Sequence, residues 1–284
     1  MEHEKVIGID LGATNVRAGL VGNSSIQHIN ANKIRSSGSV QDVLDDIYAV
    51  TDPLVGIDVK AIGIGVPGVV DTDEGIVYDV QYIPSWVEVP LKEKLQQRYQ
   101  LPVFVNNDAN CFALGEYHFG KGKGHKNMIG LTVGTGLGAG IIINRHLYSG
   151  PNCGAGEFGM VAYLDQVYEY YCSGQFFTNV HHLDGEVVFT LAQQGSPQAL
   201  ALYAEMGMHL GHAIKMIMYT YDPVLIVLGG SVRFAYAYFQ AAMWQQIKTF
   251  AFTKSVTRLT IAVSELESSG ILGAASLYYD AEKA

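Results

Sequence analysis

Apolar positions along the chain follow two rhythms: short continuous runs that stop at glycine or an acidic residue, and longer stretches that repeat every three to four residues. The run Lys5 to Asp10 is of the first kind and predicts a buried strand. The turn Gly12-Ala13-Thr14-Asn15 and a second strand, Val16 to Val21, predict a β-hairpin with polar atoms at its tip. Val40, Val43, Leu44, Ile47 and Val50 share one helical face, so a helix is expected over 40–50. Ala61 to Val66 reads as a strand closed by Pro67-Gly68, and Leu91 to Tyr99 as a helix. Val103 to Val105 is a short strand before Asn106-Asn107-Asp108-Ala109-Asn110, and a helix is expected from Ala109 to about Tyr117.

The stretch Gly120 to Gly124 is the best linker candidate. Beyond it, the strand Met128 to Val133, the turn Gly134-Thr135-Gly136-Leu137-Gly138 and the strand Ala139 to Ile143 repeat the N-terminal strand–glycine turn–strand unit. Asn144-Arg145-His146 reads as the following turn. The repetition suggests an internal duplication of a phosphate-cradling hairpin. Ser196 to Tyr219 is a long helix, with Ala199, Tyr203, Met206, Leu210, Ile214 and Ile217 in register and Asp222-Pro223 as its stop. Val224 to Leu228 is a strand ending at Gly229-Gly230-Ser231; a helix over 235–250, a strand over 259–263 and a helix over 270–279 follow. Mixed strands and helices predict α/β layers.

Composition narrows the function classes. With 49% hydrophobic and 16% charged residues in 284, the chain has enough apolar material for one large or two ordinary cores. The net charge of −9 and the lack of a dense Lys/Arg cluster argue against a nucleic-acid binder. Lys121 to Lys126 reads as a solvated loop. The charged start Met1-Glu2-His3-Glu4-Lys5 is not expected to act as a signal peptide. No window approaches the ~20 apolar residues of a membrane span. Cys111, Cys153 and Cys172 form no paired framework, so a reducing cytoplasm is expected.

Three glycine-rich turns each follow an apolar strand: Asp10-Leu11-Gly12-Ala13-Thr14-Asn15, Gly134-Thr135-Gly136-Leu137-Gly138 and Gly229-Gly230-Ser231. Glycine lets backbone approach a ligand and aim amides at an anion, and Thr14 and Thr135 add hydroxyls. Asp10 would repel a phosphate, so it suits orienting Mg²⁺ or its waters. Neither a Walker lysine loop nor a dinucleotide-type strand-to-helix glycine turn is present, so a nucleotide would be held in another manner. Asp108, where a strand meets a helix, could take a hydroxyl proton during attack on a γ-phosphate. It could equally be a helix cap. Glu157, inside Gly154-Ala155-Gly156-Glu157-Phe158-Gly159, could accept two sugar hydroxyls or simply be solvated.

Taken in order, these residues resemble the ROK family of sugar kinases and sugar-responsive repressors, within the actin/hexokinase-like ATPase fold. The resemblance runs from about Val6 to Leu277. Gly8-Ile9-Asp10-Leu11-Gly12-Ala13-Thr14 resembles the family's first phosphate motif, with Ala13 where glycine is more usual. Gly65-Val66-Pro67-Gly68-Val69-Val70-Asp71 is similar to a segment that faces the sugar, and Asn107-Asp108-Ala109-Asn110 to the catalytic motif, which implies Asp108 as the base. Gly134 to Gly138 resembles the second phosphate motif, Gly156-Glu157-Phe158-Gly159 the sugar-binding segment, and Val227-Leu228-Gly229-Gly230-Ser231 the adenosine segment. The resemblance implies ATP and Mg²⁺ as cofactors, with Asp10, Gly12, Thr14, Asn15, Gly134, Thr135, Gly136, Gly229 and Gly230 on the nucleotide. It implies a sugar on Gly68, Asn107, Asp108, Glu157 and Glu169. It also implies two ribonuclease H-like duplicated α/β domains, residues 1–118 with the helix 270–284 and residues 119–269, and a homodimer.

Two departures matter. Family members carry a zinc- and sugar-binding His where Met160 stands, followed by a Cys-rich zinc loop and a second sugar-binding Glu. Here Glu169-Tyr170-Tyr171-Cys172-Ser173-Gly174 resembles the segment that opens with that Glu, so the zinc loop reads as deleted. A structural zinc site takes about four Cys or His ligands. Cys153 and Cys172 are isolated, and neighbours His181 and His182 would point apart on a helix. No zinc is expected. The implied activity is an ATP-dependent hexose or N-acetylhexosamine kinase, glucose first, whose domains close on the substrates. The alternative is a non-catalytic sugar sensor; with the first phosphate strand starting at Lys5, no DNA-binding segment is expected.

Overall fold

The computed structural model describes residues 4–23, 25–56, 58–80 and 82–282. Strands β1 (Lys5–Leu11), β2 (Asn15–Gly22) and β3 (Ser25–Lys33) form an antiparallel meander. Then come α1 (Val40–Thr51), β4 (Val59–Val66), the strands β5 (Val69–Asp71), β6 (Ile76–Tyr78) and β7 (Glu88–Pro90), α2 (Leu91–Tyr99), β8 (Val103–Asn107) and α3 (Asp108–Phe119). β4 lies parallel to β1 and β8 parallel to β4, giving the sheet order β3-β2-β1-β4-β8. β5, β6 and β7 make a separate small sheet.

The chain continues through β9 (Met128–Val133), β10 (Leu137–Ile143), β11 (His146–Leu147), β12 (Ala162–Tyr163), β13 (Gln166–Val167), α4 (Tyr168–Cys172), α5 (Phe176–His181), α6 (Gly185–Gln193) and α7 (Pro197–Tyr221). It ends with β14 (Leu225–Gly229), α8 (Tyr236–Ile247), α9 (Thr253–Arg258), β15 (Thr260–Val263) and α10 (Ser269–Ala281). The second sheet has the order β11-β10-β9-β14-β15, with β14 parallel to both β9 and β15. Both sheets share one plan: a central first strand, hairpin partners on one side, and two later parallel strands on the other. The fold is therefore α/β with two mixed five-stranded sheets of repeated topology. The described residues cluster into two compact units, those within 1–126, 140–155 and 265–284, and those within 127–139 and 156–264.

In the first unit the sheet buries both faces. Ile7, Ile9, Leu11, Ile62 and Ile64 pack with Val43, Leu44 and Ile47 of α1. The alternate residues Val6, Val21 and Ala61 pack with Ile271, Leu272, Ala275 and Tyr279 of α10, as the two-residue period of a strand requires. On that second face the backbones nearly touch. A Cβ on Gly63 would lie 1.8 Å from the Ala274 carbonyl oxygen, and one on Gly273 would lie 1.7 Å from that of Cys111. The helices start and stop on local chemistry. Ser39 and Asp42 form a capping box on α1. Ser196 caps α7 with Pro197 in its first turn, and Asp222, in the left-handed region at φ 42°, ends it.

Several boundaries differ from expectation. β10 begins at Leu137, so Leu137 and Gly138 are strand residues and the turn is only Gly134 to Gly136. The strand at Val103 runs on through Asn107, and His146 lies in β11 rather than in the preceding turn. A 3₁₀ turn, Ser231–Ala235, precedes α8, which stops at Ile247. Gly120 and Gly122 donate their amides to the Glu116 carbonyl, so this glycine-rich stretch is folded back on α3.

The second unit contains an aromatic cluster behind α4. Tyr163 stacks on Tyr168, with ring centroids 4.3 Å apart, and its hydroxyl lies 3.0 Å from Nδ1 of buried His209. Burial pushes His209 below its ordinary pKa of 6.5; His212 acts in the same direction and Glu205 opposes it. A depressed pKa means the fold favours the neutral ring. Its contribution is fully present above 6.5 and is lost as pH falls through the folded value. Urea titrations should show stability declining below about pH 6.5, with a shallower decline in His209→Gln.

Candidate functional site

In the first unit the expected site residues collect at the C-terminal ends of three neighbouring parallel strands. Asp10 of β1 pairs with Gly65 of β4, and Gly65 with Asn106 of β8. With strands about 4.8 Å apart, Asp10 and Asn106 sit roughly 10 Å from each other on this edge. Open α/β sheets place their ligands at such an edge. The Asp10 carboxyl is raised above its ordinary pKa by burial, while Arg17 across the hairpin pulls it down. It lies against the start of α10, where a Cβ on Gly270 would come within 2.5 Å of its Cγ. Gly12 donates its amide to the Asn15 carbonyl at 2.9 Å, which closes the hairpin, and Thr14 and Asn15 are exposed at the tip.

The geometry settles which residue caps α3. Asn107 is the N-cap: its Oδ1 accepts from Ala109 N at 2.9 Å, and its Nδ2 donates to the Gly68 carbonyl at 3.2 Å. Asp108 is the first helical residue, exposed, with Oδ1 2.8 Å from the same Ala109 amide. The N-cap position therefore belongs to the neighbour, and the Asp108 carboxylate sits in the first turn, at the positive end of the helix dipole. Beneath it lies a buried network that the sequence reading missed. Asn106 Oδ1 accepts from Asn107 N (2.8 Å), Asn110 Nδ2 (2.9 Å) and Cys153 Sγ (3.0 Å), and Asn106 Nδ2 donates to Ser149 Oγ (3.2 Å). The i, i+4 spacing of Asn106 and Asn110 was the signal for half of it. Cys153, more than forty positions on, gave none.

In the second unit the glycine turns again sit at C-terminal strand ends. Gly134 N donates to the Gly136 carbonyl at 3.0 Å within the turn after β9. Gly229 closes β14 opposite Thr132. Gly230 has φ 76°, and a Cβ there would lie 2.2 Å from the Val133 carbonyl oxygen. Arg233 Nη1 donates to the Gly230 carbonyl at 2.7 Å, and the guanidinium stands 4.2 Å from the Phe234 ring centroid. Beside these turns is a cavity of about 670 Å³, lined by Gly134, Thr135, Gln175, Phe189, Tyr203 and Phe234 among others. Its size and its mixture of aromatic walls and backbone donors suit a nucleoside. The sequence reading missed Phe189 and Phe234, because lone aromatics in apolar stretches read as core. Gly230→Val should strain both the backbone and the contact with β9, costing about 1–3 kcal/mol of stability in urea melts.

Glu157 and Glu169 lie in the same unit. Gly156, at φ 101°, precedes Glu157, and a Cβ there would lie 2.3 Å from the Ala139 carbonyl oxygen. Part burial first, and the Glu169 carboxylate second, raise the Glu157 carboxyl above its ordinary pKa. Glu169 Oε2 accepts from Leu137 N at 2.9 Å. Met160 is exposed, and Cys172 is buried. His181, at the end of α5, bonds Glu205 at 3.1 Å through Nε2. Among the described residues no three His, Cys, Asp or Glu are grouped to hold a metal ion, and no helix is long and apolar enough to cross a membrane.

The ROK family model matches residues 6–281. The glucokinase of Streptomyces coelicolor is 32% identical over 260 residues, covering 80% of this chain and 81% of that protein. The xylose repressor of Bacillus subtilis is 27% identical over 300 residues, covering 96% of this chain and 77% of that protein. The crystal structure of a ROK family glucokinase from Streptomyces griseus in complex with glucose and AMPPNP matches with a TM-score of 0.81 at 29% identity, over 96% of this chain and 98% of that one. Repeated sheet topology, ordered motifs and a family match over nearly the whole length lead to one conclusion: the chain belongs to the ROK family.

Proposed function

We propose that the protein is an ATP-dependent sugar kinase acting on a hexose or N-acetylhexosamine hydroxyl, with glucose as the first candidate. The observation that carries this reading is Asp108, an exposed carboxylate in the first turn of α3, next to Asn107 and the Gly68 carbonyl that Asn107 bonds. The sugar hydroxyl loses its proton to Asp108 as its oxygen bonds the γ-phosphorus. The bridging oxygen–γ-phosphorus bond breaks, and ADP leaves with that electron pair. Gly68, Asn107, Glu157 and Glu169 orient the sugar. Asp10, Gly12, Thr14 and Asn15 on one turn, and Gly134, Thr135, Gly136, Gly229 and Gly230 on the others, hold the phosphates and nucleoside. Magnesium bound with ATP would supply charge neutralisation on the phosphates, and the carboxylate of Asp10 would help to hold it.

The glucokinase relative and the neighbour holding glucose and AMPPNP support this reading and put glucose ahead of N-acetylglucosamine and N-acetylmannosamine. Exposed Met160 beside Glu157 favours a second reading, a sugar sensor without turnover, because a thioether offers a hydroxyl no strong hydrogen bond. ATP consumption measured against glucose, mannose, fructose, N-acetylglucosamine and N-acetylmannosamine separates the two. Turnover with at least one sugar is expected. Sugar binding with silence across all five would sustain the sensor instead.

A further inference from the structure

The second phosphate turn is held in place largely from one side. Besides its internal bond from Gly134 N to the Gly136 carbonyl, the turn and the first residue of β10 make three hydrogen bonds with α4 and the residues after it. Glu169 Oε2 accepts from Leu137 N (2.9 Å), Gly174 N donates to the Gly134 carbonyl (2.6 Å), and Gln175 Nε2 donates to the Thr135 carbonyl (2.9 Å). The Glu169 carboxylate lies so close that a Cβ on Gly136 would stand 2.6 Å from its Oε2. Leu137 N is thereby occupied. The amides of Thr135 and Gly136 are the ones in this turn with no hydrogen-bond partner among the described residues.

We propose that Glu169 is a positioning residue for the nucleotide phosphates: it fixes the turn through Leu137 N and so couples binding of the acceptor sugar to binding of ATP. The inference rests on the kinase reading above and assigns its second sugar-facing carboxylate an additional task. One oxygen holds the turn, and the other is left for a sugar hydroxyl. A hydroxyl donated to the carboxylate steadies it, and the turn with it. A carboxylate this near a phosphate site is tolerable because it is anchored by an N–H rather than free to swing toward the anion. In the opposite direction, nucleotide seated on Thr135 N and Gly136 N holds the turn, and thus Glu169, in the orientation that receives sugar. Reciprocal tightening is the thermodynamic consequence.

Two conservative variants separate reach from charge. Glu169→Gln keeps a carbonyl oxygen at the same distance from Leu137 N. Glu169→Asp keeps the charge but is shorter by one C–C bond, roughly 1.5 Å, and leaves Leu137 N unpaired. Calorimetric titration with magnesium AMPPNP, without sugar, should show E169D weakened about tenfold and E169Q by less than about threefold. Saturating glucose should tighten AMPPNP in the wild type and have no effect in E169D. Amide exchange at Leu137 should speed up in unliganded E169D and not in E169Q, a readout that a purely sugar-binding role does not move. Equal AMPPNP affinity in the wild type and E169D overturns this inference alone. A wild type that binds no AMPPNP overturns the kinase reading and the inference with it.

Discussion

Asp108→Asn keeps its nucleotide and loses its turnover: kcat falls by about 10²–10⁴-fold, the range a positioned general base contributes, while AMPPNP affinity measured by calorimetry stays within about twofold. Asparagine matches the carboxylate in shape but cannot take the hydroxyl proton. The helix start survives, because the cap is Asn107 Oδ1 on Ala109 N. The neighbouring substitution should act on stability as well. Asn107→Ala removes that cap and the bond to the Gly68 carbonyl, and should cost about 1 kcal/mol of stability in urea melts. A variant that loses turnover without stability, beside one that loses stability, separates the chemistry of this strand–helix junction from its construction.

Gly63→Ala and Gly273→Ala produce the largest expected stability losses. At both positions the new Cβ would meet a backbone carbonyl oxygen, at 1.8 Å and 1.7 Å respectively, inside the contact between α10, the first sheet and α3. A flexible side chain could turn aside, but a carbonyl in a helix cannot without its whole turn moving. Overpacking of ordinary cores costs about 1–3 kcal/mol; a collision with backbone should reach at least the top of that range. Against a total of about 5–15 kcal/mol, one methyl group then removes a large fraction of the stability. Gly56→Ala is the control, since nothing lies within 4 Å of a Cβ there. Its urea midpoint should match the wild type, while those of the other two fall or their folded states are not recovered.

The central strands were legible because they are buried on both faces. β1, β4, β9 and β14 read as unbroken apolar runs in the sequence and pair in parallel in the sheets. Buried helices such as α7 showed their period and carried their stop in Asp222. β3 gave no signal, because it is exposed along most of its length and neither alternates nor runs apolar. The hairpin β12–β13 and the short helices α4, α5 and α9 hide for a related reason: two to six residues are too few for a period to emerge.

At the candidate site, the glycine turns could be placed from local residue types, whereas relations between distant residues could not. No pattern in the sequence says that Glu169 bonds Leu137 N, that Cys153 joins Asn106, or that Gly270 must be bare to admit Asp10. These are products of the tertiary fold. Whether Asp108 caps α3 is an instance: the local sequence left it open, and the structure gives the N-cap to Asn107.

The most direct test of Asp108 as the base of a sugar kinase follows the phosphoryl group itself. Purified protein is incubated with magnesium, glucose and ATP labelled at the γ-phosphate, and the products are separated. The wild type is expected to place the label on the sugar in equal amount to the ADP formed, and Asp108→Asn to place almost none there. Label carried to glucose by Asp108→Asn at the wild-type rate, or label from the wild type found only in inorganic phosphate, would contradict it.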